Sequence, residues 1–181
     1  MAQELGITAI AEKYAQAYYE LSEEKDLTGY FRYDLWAISK LIKECHELRL
    51  LLEHPIIEQK AKKSIIEEVL TNKVNPLSIN LMKLLIDRNR VSIIHIMAEK
   101  FIEIYNTKNN IVPVQVITAI SLNEHLKNLI GEKLAALLDK TVELESKVDE
   151  TIIGGVLLKI DDKIIDGSIK GRLESIKGQI I

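Results

Sequence analysis

Residues 106–119, Asn106-Thr107-Lys108-Asn109-Asn110-Ile111-Val112-Pro113-Val114-Gln115-Val116-Ile117-Thr118-Ala119, divide the chain into two kinds of sequence. Thr107 to Asn110 is polar, with no apolar stripe, and reads as a linker. From Ile111 to Ala119 the chain turns β-branched, which suits a pleated strand. Pro113 has no N–H to donate to a ladder, so it predicts an edge position. The boundary separates a helical unit, 1–106, from a smaller α+β unit, 107–181.

Upstream of the boundary, apolar residues recur three and four apart. The first helix is predicted over Ile7–Glu24, with the stripe Ile7, Ile10, Ala11, Tyr14, Ala15, Tyr18 and Leu21. A second is predicted over Thr28–Glu53, following Leu35, Ile38, Leu41, Ile42, Cys45, Leu48 and Leu52, until Pro55 stops it. A third runs from Glu58 to Thr71. Asn75-Pro76 then marks a helix start, with Asn as N-cap and Pro in the first turn. The helix that follows, Leu77 to Ile86, is apolar almost all round and is expected to be buried on most faces. A fifth, over 92–106, carries Ile94, Met97, Phe101 and Ile104. Short connections between them predict a mainly helical bundle.

Downstream, Ser121-Leu122-Asn123-Glu124 reads as a capping box opening a helix to Leu138. Thr141 to Val148 alternates as a strand. Val156–Ile160 and Lys163–Ile165 flank Asp161-Asp162 as a hairpin. Asp166-Gly167-Ser168 ends the last strand and caps a helix carrying Ile169, Leu173 and Ile176. The predicted order is β-α-β-β-β-α.

Composition narrows the function. The chain has 181 residues, 47% hydrophobic and 28% charged, with 5% aromatic and a net charge of −3. Nucleic-acid binding is not expected without an excess of clustered Lys and Arg or interleaved aromatics. No apolar run reaches the roughly 20 residues of a membrane span. The first residues lack a signal peptide's basic start, and the one cysteine forms no internal disulfide, both suiting a cytosol-like compartment.

Chemistry is sparse. Gly154-Gly155 leads into a strand, whereas a phosphate loop opens a helix, so a bend or bulge is the reading. His46, His54, His95 and His125 stand apart, with no metal-ligand spacing. Cys45 lies on an apolar stripe between Glu44 and Glu47, unlike an activated thiol. Asp166-Gly167-Ser168 lacks a nucleophile elbow and reads as turn-plus-cap chemistry. No catalytic residue, metal site or cofactor is predicted. Tyr14, Tyr18 and the neighbouring alanines either close the bundle core or line a groove for a partner's helix, and periodicity does not separate the two.

Val148-Asp149-Glu150-Thr151-Ile152-Ile153-Gly154-Gly155-Val156, followed by Ile164-Ile165-Asp166-Gly167-Ser168-Ile169-Lys170-Gly171-Arg172-Leu173, closely resembles the signature of the delta subunit of bacterial and plastid F-type ATP synthases. The mitochondrial counterpart is the oligomycin-sensitivity-conferring protein. Ala11-Glu12-Lys13-Tyr14-Ala15-Gln16-Ala17-Tyr18 is similar to the family's opening Ala-x-x-Tyr-Ala-x-Ala-Phe/Tyr. His54-Pro55, Lys60, Asn89-Arg90, Ile94 and Phe101 also fit. Asp161-Asp162 departs from the Gly that many members carry at the hairpin tip.

The resemblance implies a six-helix N-terminal bundle and a small C-terminal α+β domain. It implies a non-catalytic, one-copy stator subunit for ATP synthesis and hydrogen ion transport. The N-terminal domain would hold alpha-subunit N-terminal helices in a groove between the first and fifth helices. Carried over by position, Tyr14, Ala15, Tyr18, Ile94, Met97, Ala98 and Phe101 are its expected lining. The C-terminal domain, built around Gly154, Gly155, Asp166, Gly167 and Ser168, would meet the C-terminal helices of the b subunits. The implied place is peripheral, on the cytoplasmic face of a bacterial membrane or the stromal face of a thylakoid. A generic helical adaptor or regulatory protein is the alternative.

Overall fold

Apolar residues three and four apart in the first hundred positions become helices around one core. In the computed structural model, which describes residues 2–160 and 163–179, these are α1 (Ala2–Glu24), α2 (Thr28–Glu44), α3 (His46–Glu53), α4 (Gln59–Leu70), α5 (Pro76–Asp87) and α6 (Ile94–Lys108). A 3-10 turn, Val91–Ile93, precedes α6. The chain divides into two compact units, residues 1–105 and 106–181.

Local chemistry sets several helix ends. Asn75 caps α5, its side chain accepting from the Leu77 N–H at 2.9 Å, with Pro76 behind it where no N–H is missed. Asp26 and Asn89 close α1 and α5 in the left-handed region, at φ 55° and 52°. There the N–H of Leu27 donates to Ser22 O at 2.9 Å, and that of Arg90 to Leu85 O at 2.8 Å. These are helix closures of the kind glycine usually makes, built here with Asp and Asn, whose short polar side chains tolerate that conformation.

The single helix expected over Thr28–Glu53 is two. Cys45 is extended, at φ −95° and ψ 94°, between α2 and α3. Its N–H still donates to Leu41 O at 2.9 Å and its carbonyl accepts from Arg49 N–H at 3.1 Å, so the ladder resumes at once. Cysteine is a weak helix former, yet the apolar spacing Ile42, Cys45, Leu48, Leu52 passes unchanged through the break. Leu48 and Leu52 stay in the same core as Ile38 and Ile42. Periodicity therefore hides the break, and the break shifts the helix count by one. The helix over 92–106 is the sixth; the fifth is α5.

The expected linker is shorter than Thr107–Asn110. α6 runs through Lys108, leaving Asn109-Asn110 as a turn, with Asn110 at φ 54°. The second unit then contains β1 (Ile111–Thr118), α7 (Glu124–Leu138), β2 (Thr141–Val148), a 3-10 turn (Glu150–Ile152), β3 (Val156–Ile160), β4 (Lys163–Asp166) and α8 (Ile169–Gln179). The sheet order is β2-β1-β3-β4, with β1 and β2 parallel through α7 and the other pairs antiparallel.

β1 is thus central, not the edge strand that Pro113 suggested. Among the described residues its ladder with β3 begins at Val114, which leaves the proline outside that pairing. β1 is paired with β2 on one edge and β3 on the other, and Val112, Val114 and Val116 share one face, buried with Leu134 of α7. α7 itself is capped by Asn123, which accepts from Leu126 N–H at 2.8 Å, and not by Ser121. The β3–β4 pairing forms the expected hairpin. Its tip, Asp161-Asp162, and the side chain of Ile176 lie outside the described residues. Among the described residues no helix is long and apolar enough to cross a membrane.

Candidate functional site

α1 and α5 share a cleft of about 340 Å³, lined by Tyr14, Ala17, Tyr18 and Leu21 from α1 and by Leu77, Asn80, Leu81 and Leu84 from α5. The lining follows from spacing. On α5, Leu77, Leu81 and Leu84 are four and three apart and form one face. Ile79, Met82, Leu85 and Ile86 turn the other way into the core. A helix that is apolar on both faces has one more face than a single core uses. Leu84 is 43% exposed, against complete burial of Leu85 beside it.

Beneath the cleft a polar chain joins three helices. Ser78 Oγ donates to Asp34 Oδ2, which also accepts from the Asn75 N–H at 2.8 Å. Tyr18 Oη lies 2.7 Å from Ser78 Oγ. Serine has one hydroxyl proton and the carboxylate takes it, so Tyr18 is the donor in that last bond. Burial, with Asp34 adding to it, pushes the Tyr18 hydroxyl far above the usual tyrosine range and keeps that proton in place. The Tyr18 ring stacks on Phe31 at 4.5 Å and tilts against Phe101 at 5.8 Å. One rim of the cleft is therefore held by a hydrogen-bonded, ring-packed residue.

The residues expected to line a groove separate into two groups. Tyr14, half-buried, and Tyr18 line the cleft. Ala15, Ile94, Met97, Ala98 and Phe101 do not: all five are buried in the helical core, none more than 4% exposed. The physical reason is the count: α6 carries four of them, and α5, not α6, shares the cleft with α1. The lining residues that spacing missed are Ala17, Leu21, Leu77, Asn80, Leu81 and Leu84. Their signal was the all-round apolar surface of Leu77–Ile86.

In the second unit the two glycine-containing segments fold onto each other. Gly167 N–H donates to Val156 O at 2.9 Å, and Ile169 N–H to Gly154 O at 3.0 Å. Asp166 Oδ1 accepts from Ser168 N–H at 2.8 Å, and Ser168 Oγ accepts from Gly171 N–H at 3.0 Å, which starts α8. Gly155 sits at φ 81°, where a Cβ would collide with the Gly167 carbonyl oxygen. Asp149 caps the 3-10 turn, accepting from Thr151 N–H at 2.9 Å and from its hydroxyl at 2.6 Å. These bonds hold the carboxyls of Asp166 and Asp149 below the ordinary aspartate range, in each case the partner's hydroxyl first and its N–H second. Ser168 is buried and spent as a cap, so this is a fastening and not a reaction centre.

Around the fastening, apolar side chains face water. Ile153, Ile164, Ile165, Ile169 and Leu173 are all exposed, as are Leu126, Leu129 and Leu137 on α7. Ile153 adds a strained backbone, φ 69° and ψ −41°, unusual for a β-branched residue. Among the described residues no group of three or more His, Cys, Asp or Glu is placed to hold a metal ion.

Comparison with known proteins completes the picture. The family profile described as "ATP synthase delta (OSCP) subunit" matches residues 10–180. The protein named ATP synthase subunit delta of Trichodesmium erythraeum is 34% identical over 168 residues, 92% of each chain. Its namesake from Desulforamulus reducens is 34% identical over 173 residues, 96% of each. In structure, a chain of the Toxoplasma gondii mitochondrial ATP synthase hexamer, solved by cryo-EM, superposes with a TM-score of 0.70. It covers 94% of this chain and 96% of its own, at 18% identity, a likeness of fold.

Proposed function

The chain belongs to the ATP synthase delta (OSCP) subunit family, and from that premise we propose that it is the upper joint of the stator in a proton-driven F-type ATP synthase. Rotary synthesis requires that torque on the central shaft not spin the catalytic hexamer. A peripheral link must resist it, and a subunit in that link contributes affinity and stiffness, with no barrier to lower. The helical unit, read as the family's six-helix bundle, receives alpha-subunit N-terminal helices. The α+β unit receives the C-terminal helices of the b subunits through its exposed apolar side chains. Two moderate contacts on one complex gain avidity through effective concentration.

The observation that carries this reading is the α1–α5 cleft. It presents a leucine face with Leu84 open to water, rimmed by Tyr14 and Asn80, as an amphipathic helix would require. Two substitutions test it. Leu84→Asp changes an exposed position, so the melting temperature is expected to hold. Affinity for an alpha-subunit N-terminal peptide is expected to fall at least about tenfold, or about 1.4 kcal/mol. Ala15→Trp fills a closed core position and is expected to cost about 1–3 kcal/mol of stability. Calorimetric titration and thermal melts of both variants separate the two effects. A Leu84→Asp protein binding the peptide at full strength would remove the cleft from the interface.

A further inference from the structure

Among the described residues the exposed aromatic side chains are Tyr30, Tyr33 and Trp36, at 70%, 61% and 48% exposure, and all three lie on α2. Spaced three apart, they share one helix face. Lys40 already covers Trp36, its Nζ 4.9 Å from the ring centroid. Tyr30 and Tyr33 instead line an open cavity of about 810 Å³ between the α1–α2 turn and the α4–α5 loop, together with Asp26, Asp34 and Lys73. This cavity continues one end of the α1–α5 cleft, where Leu21 and Leu77 stand close to the end of α1 at Glu24 and the start of α5 at Pro76. Asp34 belongs to both places: it lines the cavity and accepts from Ser78, the partner of Tyr18. Tyrosine rings left in water beside an apolar groove are the kind of residue that anchors interfaces.

We infer that this cavity holds the guanidinium or ammonium group of a basic side chain carried by the helix that fills the cleft. A tyrosine face attracts a cation placed within about 6 Å of its centre. Asp26 and Asp34 outnumber Lys73, so the wall is net negative. An anion has less to bind, because the Asn75 N–H at the start of α5 is already given to Asp34 at 2.8 Å. The cavity thereby sets direction. An apolar stripe alone fits the cleft either way round, whereas a cation required at one end admits one orientation. The stator reading above is what names the occupant, an alpha-subunit N-terminal helix; the cavity adds that this helix carries Arg or Lys near one end of its apolar stripe.

The test titrates the full chain with the alpha-subunit N-terminal peptide by calorimetry at constant ionic strength. Tyr30→Ala and Tyr33→Ala together, both at exposed positions, are expected to weaken the peptide at least about fivefold. Asp26→Asn is expected to weaken it about threefold, asparagine being able to keep the left-handed backbone at φ 55°. A second peptide carries citrulline for each arginine and norleucine for each lysine. The double tyrosine variant and Asp26→Asn are expected to bind this neutral peptide as well as the parent does. Equal losses for the charged and neutral peptides overturn the cation site and leave an apolar contact in its place. Full-strength binding of the charged peptide by these variants, with Leu84→Asp still weakened, overturns the cation site alone and leaves the cleft standing. No binding of either peptide to the parent overturns the cleft reading and the cation site together. An alpha-subunit N-terminal segment without Arg or Lys near either end of its apolar stripe also overturns the cation site.

Discussion

Among the described residues the N-terminal unit packs twenty-three buried apolar residues into one cluster, while the sheet and α7 of the C-terminal unit bury a cluster of four. Among the described residues the larger first unit exposes seven large apolar side chains and the smaller second unit ten, most of these on α7, β4 and α8. The polar networks differ to match. Tyr18, Ser78 and Asp34 are sealed inside and tie helices across a core. Asp166, Ser168 and Gly171 tie neighbouring segments near the surface. One unit is stabilised by what it encloses, the other by local fastenings and, in the reading above, by what it docks against.

The largest expected effect tests the enclosed core. Phe101 is fully buried and packs on Tyr18 and Tyr19, the latter ring 5.6 Å away. Phe101→Ala is expected to destabilise the helical unit by about 3–5 kcal/mol. Denaturant unfolding followed by amide signals from each unit should show the sheet of the second unit unmoved. A loss shared equally by both units would erase the contrast between them.

Next comes the fastening. Gly155→Ala places a Cβ against the Gly167 carbonyl and forces an alanine to φ 81°. The expected cost is about 1–3 kcal/mol, read as lost protection of Gly167 and Ile169 amides in hydrogen exchange, with α1 and α5 unaffected. Protection unchanged at both amides would show that the two segments do not depend on each other.

These outcomes also sort what was legible in the sequence. Asn75-Pro76 was readable because a cap and a first-turn proline act within three residues. Strand boundaries 141–148 and 156–160 were readable from alternation and turn residues. The break at Cys45 was not, because neither glycine nor proline marks it and the apolar spacing survives it. That single residue moved the helix counted as fifth from α5 to α6. Pro113 misled for a related reason: the rule concerns an N–H in a ladder, and whether a ladder reaches that N–H depends on a distant strand. Ser121 lost to Asn123 because both are good caps, and which one wins depends on where α7 must start to reach the sheet. The core positions of α1 were legible, but whether a stripe faces core or cleft depends on partners that spacing does not contain.

The smallest expected effect concerns pH. Asp166 is held below its ordinary value of 3.8 in the folded chain, so its contribution to stability is fully present above that value. It is lost as pH falls through the lowered folded value. Asp166→Asn is expected to flatten that part of the acid response in the C-terminal unit and leave the helical unit's response unaltered. Acid titration monitored at the Ser168 and Gly171 amides measures it. An unchanged acid profile would mean that the Ser168 bonds do not discriminate the charged from the neutral carboxyl.

The exposed leucines and isoleucines of the second unit have a consequence for supply. A copy made in excess of its partners keeps those side chains in water, where they associate with whatever apolar surface is available. The fate of such an orphan depends on its concentration and on how fast proteases and chaperones find it, even when its helices are well folded. If the chain is the stator joint proposed above, a cell making it has reason to match its production to that of the partners.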